Sequence, residues 1–283
     1  MLKQIRPREV LAMASETIQS NEWRWYLFSD LDQSLLESST NYIGDADGFE
    51  LVKTTRQKKI LRLNKERTKL IKHFSPVKWG NKLKLYFNLK KRSLSSELRC
   101  YVGCEALSSF VPKFYAYGER LAFGLVKEQM CIIEFLPNHV TLENLLASDQ
   151  VGKNWLYGVL EKIAHIIFAL YEDQVIDPDL NSSNILLPVG GDGAIYVIDF
   201  ESCSYLDEKL INIIYFHFAI MYQSVFQHFI SRSDYDKFVF STVDSYFSKK
   251  IDADYDLYGY FCGYDARVGQ KMKELMRYIQ RLR

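Results

Sequence analysis

The chain has 283 residues, room for one large domain or two lobes. Apolar residues make up 48% and charged residues 25%, the balance of a globular protein, and a formal net charge of +1 singles out no partner. The charge is nevertheless polarised. Between Lys58 and Arg92 lie thirteen lysines and arginines against one acid, Glu66, a local balance of +12 that leaves about −11 for the rest.

Cys100, Cys104, Cys131, Cys203 and Cys262 form no CxxC pair, and Cys100 and Cys104 are spaced to share a helix face. Their odd number, with no signal-type apolar core in MLKQIRPREVLAMASE, predicts reduced thiols in a cytoplasmic setting. Residues 1–38 carry helix-like patterning with an aromatic cluster, Trp23, Trp25, Tyr26 and Phe28, and are expected to form a helical extension. Strands follow at 49–54, 60–64 and 68–74, the last two joined by a turn at 64–67. A helix is expected over 93–108, on Leu94, Leu98, Tyr101, Val102 and Leu107, then strands at 111–117 and 124–136. This outlines a mostly antiparallel sheet with one helix, a lobe spanning 39–136.

After Pro137 the pattern turns helical, giving a second lobe over 137–283. A short helix at 141–147 has Thr141 as N-cap, and a longer one at 154–172 carries an apolar stripe. Short strands at 185–187 and 194–198 flank a glycine-rich turn at 190–193. The stretch 211–230 is the most apolar, but Asn212, His217, Gln223, Gln227 and His228 make it a core helix rather than a membrane span. Residues 265–283 are amphipathic, with Leu275 and Ile279 on the apolar side and Lys271 on the basic side, expected to dock on the second lobe. The five histidines show no metal-ligand spacing and receive no catalytic role.

The chemistry concentrates in Asp177-Pro178-Asp179-Leu180-Asn181-Ser182-Ser183-Asn184, followed by Ile185-Leu186-Leu187. Asn184 stands five positions after Asp179, and Asp199 follows twenty after it, at the end of the second strand. Phosphoryl transfer needs this set. One carboxylate orients the acceptor hydroxyl and takes its proton, while a second carboxylate and an amide oxygen hold Mg²⁺ against nucleotide phosphates.

DLNSSNILL and YVIDFE resemble the catalytic loop and metal-binding motif of the protein-kinase-like superfamily, and within it the bacterial lipopolysaccharide core kinases that phosphorylate Kdo or heptose. KLIKHFSPVKWGNKLKLYFNLKKRSLSSELR, VPKFYAYGE and CIIEFLP continue the resemblance from about residue 49 to 202. It implies a bilobal α+β fold and ATP with Mg²⁺ as cofactors. Lys72 would contact the nucleotide phosphates and pair with Glu97, with Glu105 the rival partner. Glu134, Phe135 and Leu136 would offer hinge backbone to adenine, Asp179 would be the base, and Asn184 and Asp199 the metal ligands. The acceptor would be a lipopolysaccharide core sugar, reached at the cytoplasmic face of the inner membrane. The basic segment offers attraction to ATP, phosphorylated sugars or an anionic membrane surface, and no nucleic-acid-binding motif accompanies it.

Two departures are visible. Asp177 occupies the usual histidine position, where two neighbouring carboxylates are expected to raise a pKa or hold a further cation. The turn at 54–59 lacks glycine, and Gly44 and Gly48 upstream form no phosphate loop. These features keep open a protein or small-molecule acceptor, or a pseudokinase scaffold. Asp177-Pro178-Asp179 taken alone would also fit the DxD of a glycosyltransferase, leaving Asn184 and Asp199 unused.

Overall fold

The structure is a computed structural model that describes residues 7–20, 22–41, 49–55, 58–63, 68–75, 93–122, 125–147, 152–190, 193–251 and 255–281. Gly44, Gly48, the turn at 64–67, much of the glycine-rich turn and the basic stretch 76–92 lie outside the described residues. The chain divides into two compact units, Ile5–Asn138 and His139–Arg283.

The first unit opens with helix α1 (Pro7–Leu11), strands β1 (Glu16–Ser20) and β2 (Trp23–Leu27), and helix α2 (Gln33–Asn41). Strands β3 (Phe49–Thr54), β4 (Lys58–Leu63) and β5 (Lys69–Phe74) follow, then helix α3 (Ser93–Val102). A 3₁₀ turn (Ala106–Phe110) leads into β6 (Phe114–Ala122) and β7 (Leu125–Glu134). All seven strands form one antiparallel sheet in the order β1-β2-β6-β7-β5-β4-β3.

The helical reading of residues 16–27 is therefore corrected. Trp23, Trp25 and Leu27 are buried while Arg24 between them is exposed, an alternation with the period of a strand. Trp25 lies opposite Gly118 of β6, and its ring fills the space a side chain there would take: a Cβ on Gly118 would stand 2.7 Å from the indole. Trp23 stacks on Trp25 with ring centroids 5.6 Å apart, and both join a core with Leu36, Leu61, Ile71, Met130 and Ile132.

The helix expected over 93–108 also stops early, at Val102, where the Gly103 N–H donates to the Arg99 carbonyl at 2.7 Å. Cys100 and Cys104 are both buried but share no helix face, because Cys104 lies past the helix end.

The second unit begins with β8 (His139–Thr141) and α4 (Leu142–Leu146), whose cap is the Thr141 hydroxyl accepting the Asn144 N–H at 3.2 Å. Helix α5 (Lys153–Glu172) buries Leu156, Val159, Leu160, Ile163, Ile167 and Leu170, the stripe expected from the sequence. Strand β9 (Val175–Ile176), a 3₁₀ turn (Ser182–Asn184), β10 (Ile185–Pro188) and β11 (Tyr196–Val197) come next. A second 3₁₀ turn (Phe200–Ser202) leads to β12 (Ser204–Tyr205), and helices α6 (Asn212–Ser224), α7 (Arg232–Tyr246), α8 (Tyr255–Cys262) and α9 (Val268–Arg281) complete the chain. Strands β11, β10 and β8 pair antiparallel in that order, and β12 pairs with β9.

Helix α6 is buried along almost its whole length, and among the described residues no helix is long and apolar enough to cross a membrane. Leu275 and Ile279 of α9 are buried.

Candidate active site

In the first unit the sheet places Lys72 in mid-strand on β5, between the buried Ile71 and His73. Its ammonium forms an ion pair with the Glu97 carboxylate of α3. Glu97 is 1% exposed. One helical turn on, the Tyr101 hydroxyl donates to the same Glu97 oxygen at 3.2 Å, and burial pushes that hydroxyl's pKa well above the ordinary tyrosine value. The strand alternation turns His73 the other way, to the Glu128 carboxylate at 2.9 Å, and Arg120 reaches Glu128 from its far side at 3.2 Å. Glu105 stands exposed just ahead of the 3₁₀ turn, so of the two acids weighed from sequence it is Glu97 that meets Lys72.

At the end of β7 the amides are unevenly engaged. The Glu134 N–H donates to the Lys113 carbonyl and the Phe135 N–H to the Thr68 carbonyl, both at 2.8 Å. The Leu136 amide closes no backbone hydrogen bond among the described residues. Of the turn at 54–59 the described part is closed by Thr55: its N–H donates to the Lys58 carbonyl at 2.8 Å and its hydroxyl accepts the Lys58 N–H at 3.1 Å. A side chain thus supplies the turn-closing bond.

In the second unit, Asp179, Asn184 and Asp199 gather at one end of the β10–β11 hairpin. The Asn184 carboxamide nitrogen donates to the Asp179 carbonyl at 3.0 Å, and the Ile198 N–H donates to the Asn184 carbonyl at 2.9 Å, tying the 179–184 segment to the residues that lead from β11 to Asp199. Asn181 is a second fastener. Its side-chain nitrogen donates to the Asp179 carbonyl at 2.8 Å and to the Asp179 carboxylate at 2.9 Å, while its oxygen caps the 3₁₀ turn through the Ser183 N–H. Burial raises the pKa of the Asp179 carboxyl, and the charge of Asp199 raises it further.

Asp199 has φ 67 and ψ 57, the left-handed region. That backbone costs a non-glycine residue about 1 kcal/mol or more and persists where the surroundings over-determine it.

Asp177 is fully buried, and its carboxylate accepts the Asp179 N–H at 3.0 Å. Burial pushes its pKa up to about 7, with the charge of Asp179 a smaller contribution. The rise expected from sequence is present, but desolvation is its main cause rather than like-charge repulsion. A histidine from another element meets the Asp177 backbone. His217 of α6, also fully buried, accepts the Asp177 N–H on Nε2 at 3.0 Å. Burial depresses its pKa to about 3, so the ring is neutral and able to accept. Nothing in the sequence connects two residues forty positions apart, and His217 carried no role there.

Lys271 is a second residue the sequence misplaced. It belongs to the row of Leu275 and Ile279 at four-residue spacing and is half-buried rather than on a solvated face. Burial lowers its pKa, and Asp265 and Asp179, in that order, support its charge.

Neither a protein-family model nor a curated protein matches the chain. Among solved structures it is similar to one described as WaaP in complex with acyl carrier protein, with a TM-score of 0.50 and 16% identity, over 82% of this chain and 88% of that one. At that identity the likeness is one of fold. The seven-stranded antiparallel unit followed by a helical unit is the protein-kinase-like architecture.

Proposed function

We propose that this chain is an ATP-dependent phosphotransferase that moves the γ-phosphoryl group to a hydroxyl of a lipopolysaccharide inner-core sugar, Kdo or heptose. The observation that carries the transfer reading is the locked set Asp179, Asn184 and Asp199 on one hairpin, with Asp199 held in a left-handed backbone. The acceptor class comes from the resemblance of the motifs.

The donor set fits Mg²⁺. The Asn184 nitrogen is engaged by the Asp179 carbonyl, so its oxygen is left for a cation, met among the described residues by the Ser183 hydroxyl at 3.5 Å. With the Asp199 carboxylate this offers hard oxygen ligands of the kind Mg²⁺ takes. When bound, the ion supplies charge neutralisation at the phosphate oxygens. Asp179 orients the acceptor hydroxyl and receives its proton. A carboxylate made more basic by burial suits that task. Lys72, fixed by Glu97, addresses the nucleotide phosphates. The Leu136 amide is the hinge donor for adenine, since those of Glu134 and Phe135 are engaged within their unit. The basic segment 58–92 draws the enzyme to an anionic membrane face where such acceptors are anchored.

The test is a mass-spectrometric transfer assay with Mg-ATP and dephosphorylated core oligosaccharides, with Asp179→Ala as control. A phosphate mass gain lost in the variant supports the reading. A gain that survives in Asp179→Ala removes the assigned base, and no gain on any core sugar despite nucleotide binding moves the acceptor to another class.

A further inference from the structure

Asp179 has four polar groups, and its own loop fastens three of them. Its N–H donates to the Asp177 carboxylate at 3.0 Å, and its carbonyl accepts the Asn181 and Asn184 side-chain nitrogens at 2.8 and 3.0 Å. One carboxylate oxygen, Oδ1, accepts the Asn181 nitrogen at 2.9 Å. The other, Oδ2, closes no hydrogen bond among the described residues and is not sealed from solvent.

The amide that makes this choice has one satisfactory orientation. The Asn181 oxygen accepts the Ser183 N–H at 2.9 Å and the Ser183 hydroxyl at 2.7 Å, capping the 3₁₀ turn. Turned over, its NH₂ would face the Ser183 N–H and its oxygen would face two oxygens of Asp179. Ser183 thus fixes Asn181, and Asn181 fixes Asp179. The two ends of a carboxylate are otherwise equivalent about the last torsion, and a donor on one of them removes that freedom. Capping the turn uses only the amide oxygen, which a serine or an aspartate would supply as well. The nitrogen, with both hydrogens on Asp179, is what the turn does not require.

We propose that Asn181 is a positioning residue for phosphoryl transfer, holding Oδ1 of Asp179 so that Oδ2 receives the acceptor proton. The proposal rests on the phosphotransferase reading above and names the atom at which its base acts. As the acceptor oxygen bonds to the γ-phosphorus, its proton passes to Oδ2. The bond from that phosphorus to the β,γ-bridging oxygen breaks, and its electron pair leaves on ADP. Water then takes the proton from Oδ2 and restores the carboxylate.

The test compares the full-length protein with Asn181→Ser and Asn181→Asp, which keep an oxygen to cap the turn and lose the donor to Asp179. Turnover of Mg-ATP is followed with a dephosphorylated core oligosaccharide as acceptor and with water alone, and thermal midpoints are taken on the same samples. Asn181→Ser is expected to keep the wild-type midpoint and the KM for both substrates while kcat falls about 10–100-fold, the worth of one hydrogen bond to a charged group. Asn181→Asp should fall at least as far, since it sets a second carboxylate beside the first. Placed on Asp179→Ala, Asn181→Ser should change the residual rate by less than about twofold, because the group it acts through is gone. Wild-type kcat in either variant overturns the proposal. So does an equal loss on Asp179→Ala, or a loss accompanied by a lowered midpoint in both variants, which would leave Asn181 a cap alone. If the sugar gains no phosphate but hydrolysis by water falls in the variants as described, the positioning role stands and the acceptor reading is lost. Turnover with neither acceptor removes both, so the two failures are separable.

Discussion

Asp179 is half-buried, and its carboxylate is bonded by Asn181, a neighbour in the same loop. Its replacement should therefore spare the fold. Asp179→Ala is expected to lower transfer by about 10²–10⁴-fold with little change in thermal midpoint, checked by the mass assay and by calorimetry on the same sample. Asp177 and His217 make a different prediction, about stability against pH. The folded pKa of Asp177 is raised, so its contribution is complete below the ordinary carboxylate value and is lost as pH climbs to about 7. The folded pKa of His217 is depressed, so its contribution is complete above the ordinary imidazole value and is lost as pH falls towards 3. From about pH 4 to 6.5 the folded chain holds one extra proton on Asp177 and lacks one on His217, and the two dependences oppose each other. Each is at most about 5 kcal/mol in size. Asp177→Asn should leave a protein that loses stability on acidification through this window, and His217→Gln one that loses it on alkalinisation. Denaturant midpoints at pH 4.5, 5.5 and 6.5 would check this, and parallel curves for the two variants would contradict it.

At the level of elements, the sheet of the first unit depends on one close approach, Trp25 over Gly118. Both indole atoms nearest the missing Cβ are 2.7 Å away, and Trp25 is fully buried with Trp23 stacked on it, so neither ring has room to yield. Gly118→Ala should cost about 2 kcal/mol through overpacking, measured as a lowered urea midpoint at unchanged slope. The same hairpin shows where the sequence was opaque. Trp23, Trp25 and Leu27 alternate over only five residues, too short a run to prevail over the helix-like texture around it, and their pairing with β6 is decided some ninety residues away. Helix α5 and the β10–β11 hairpin were legible because their signals are local: a stripe at helical spacing in one, two short apolar strands around glycines in the other. The candidate site divides along the same line. Asp179, Asn184 and Asp199 stand at fixed offsets in one segment, and Lys72 met Glu97 because strand and helix each present one side chain inward. His217 reaches Asp177 only through the placement of α6, a relation that no spacing encodes.

For the molecule as a whole, the unequal distribution of charge makes cations a structural variable. Between Lys162 and Lys209, a stretch of nine acids without a base repels itself, and on the proposed reading a bound divalent ion would relieve part of that repulsion. Mg²⁺ with a non-hydrolysable ATP analogue is expected to raise the unfolding temperature. At about a hundred times the dissociation constant the gain is about 2.7 kcal/mol, or roughly 5–10 °C for a chain of this size. Asp199→Ala should erase most of that shift, and an equal shift in the variant would place the ion elsewhere. The cysteines carry one more consequence. All five are buried, Cys100, Cys104 and Cys131 in one unit and Cys203 and Cys262 in the other. A maleimide added to the native protein reacts only when the chain breathes open around a thiol, so the labelling rate at each cysteine reports the opening of its surroundings. Peptide mapping after timed exposure would therefore read two separate clocks in a single molecule, and ligands that steady one unit and not the other would slow one clock alone.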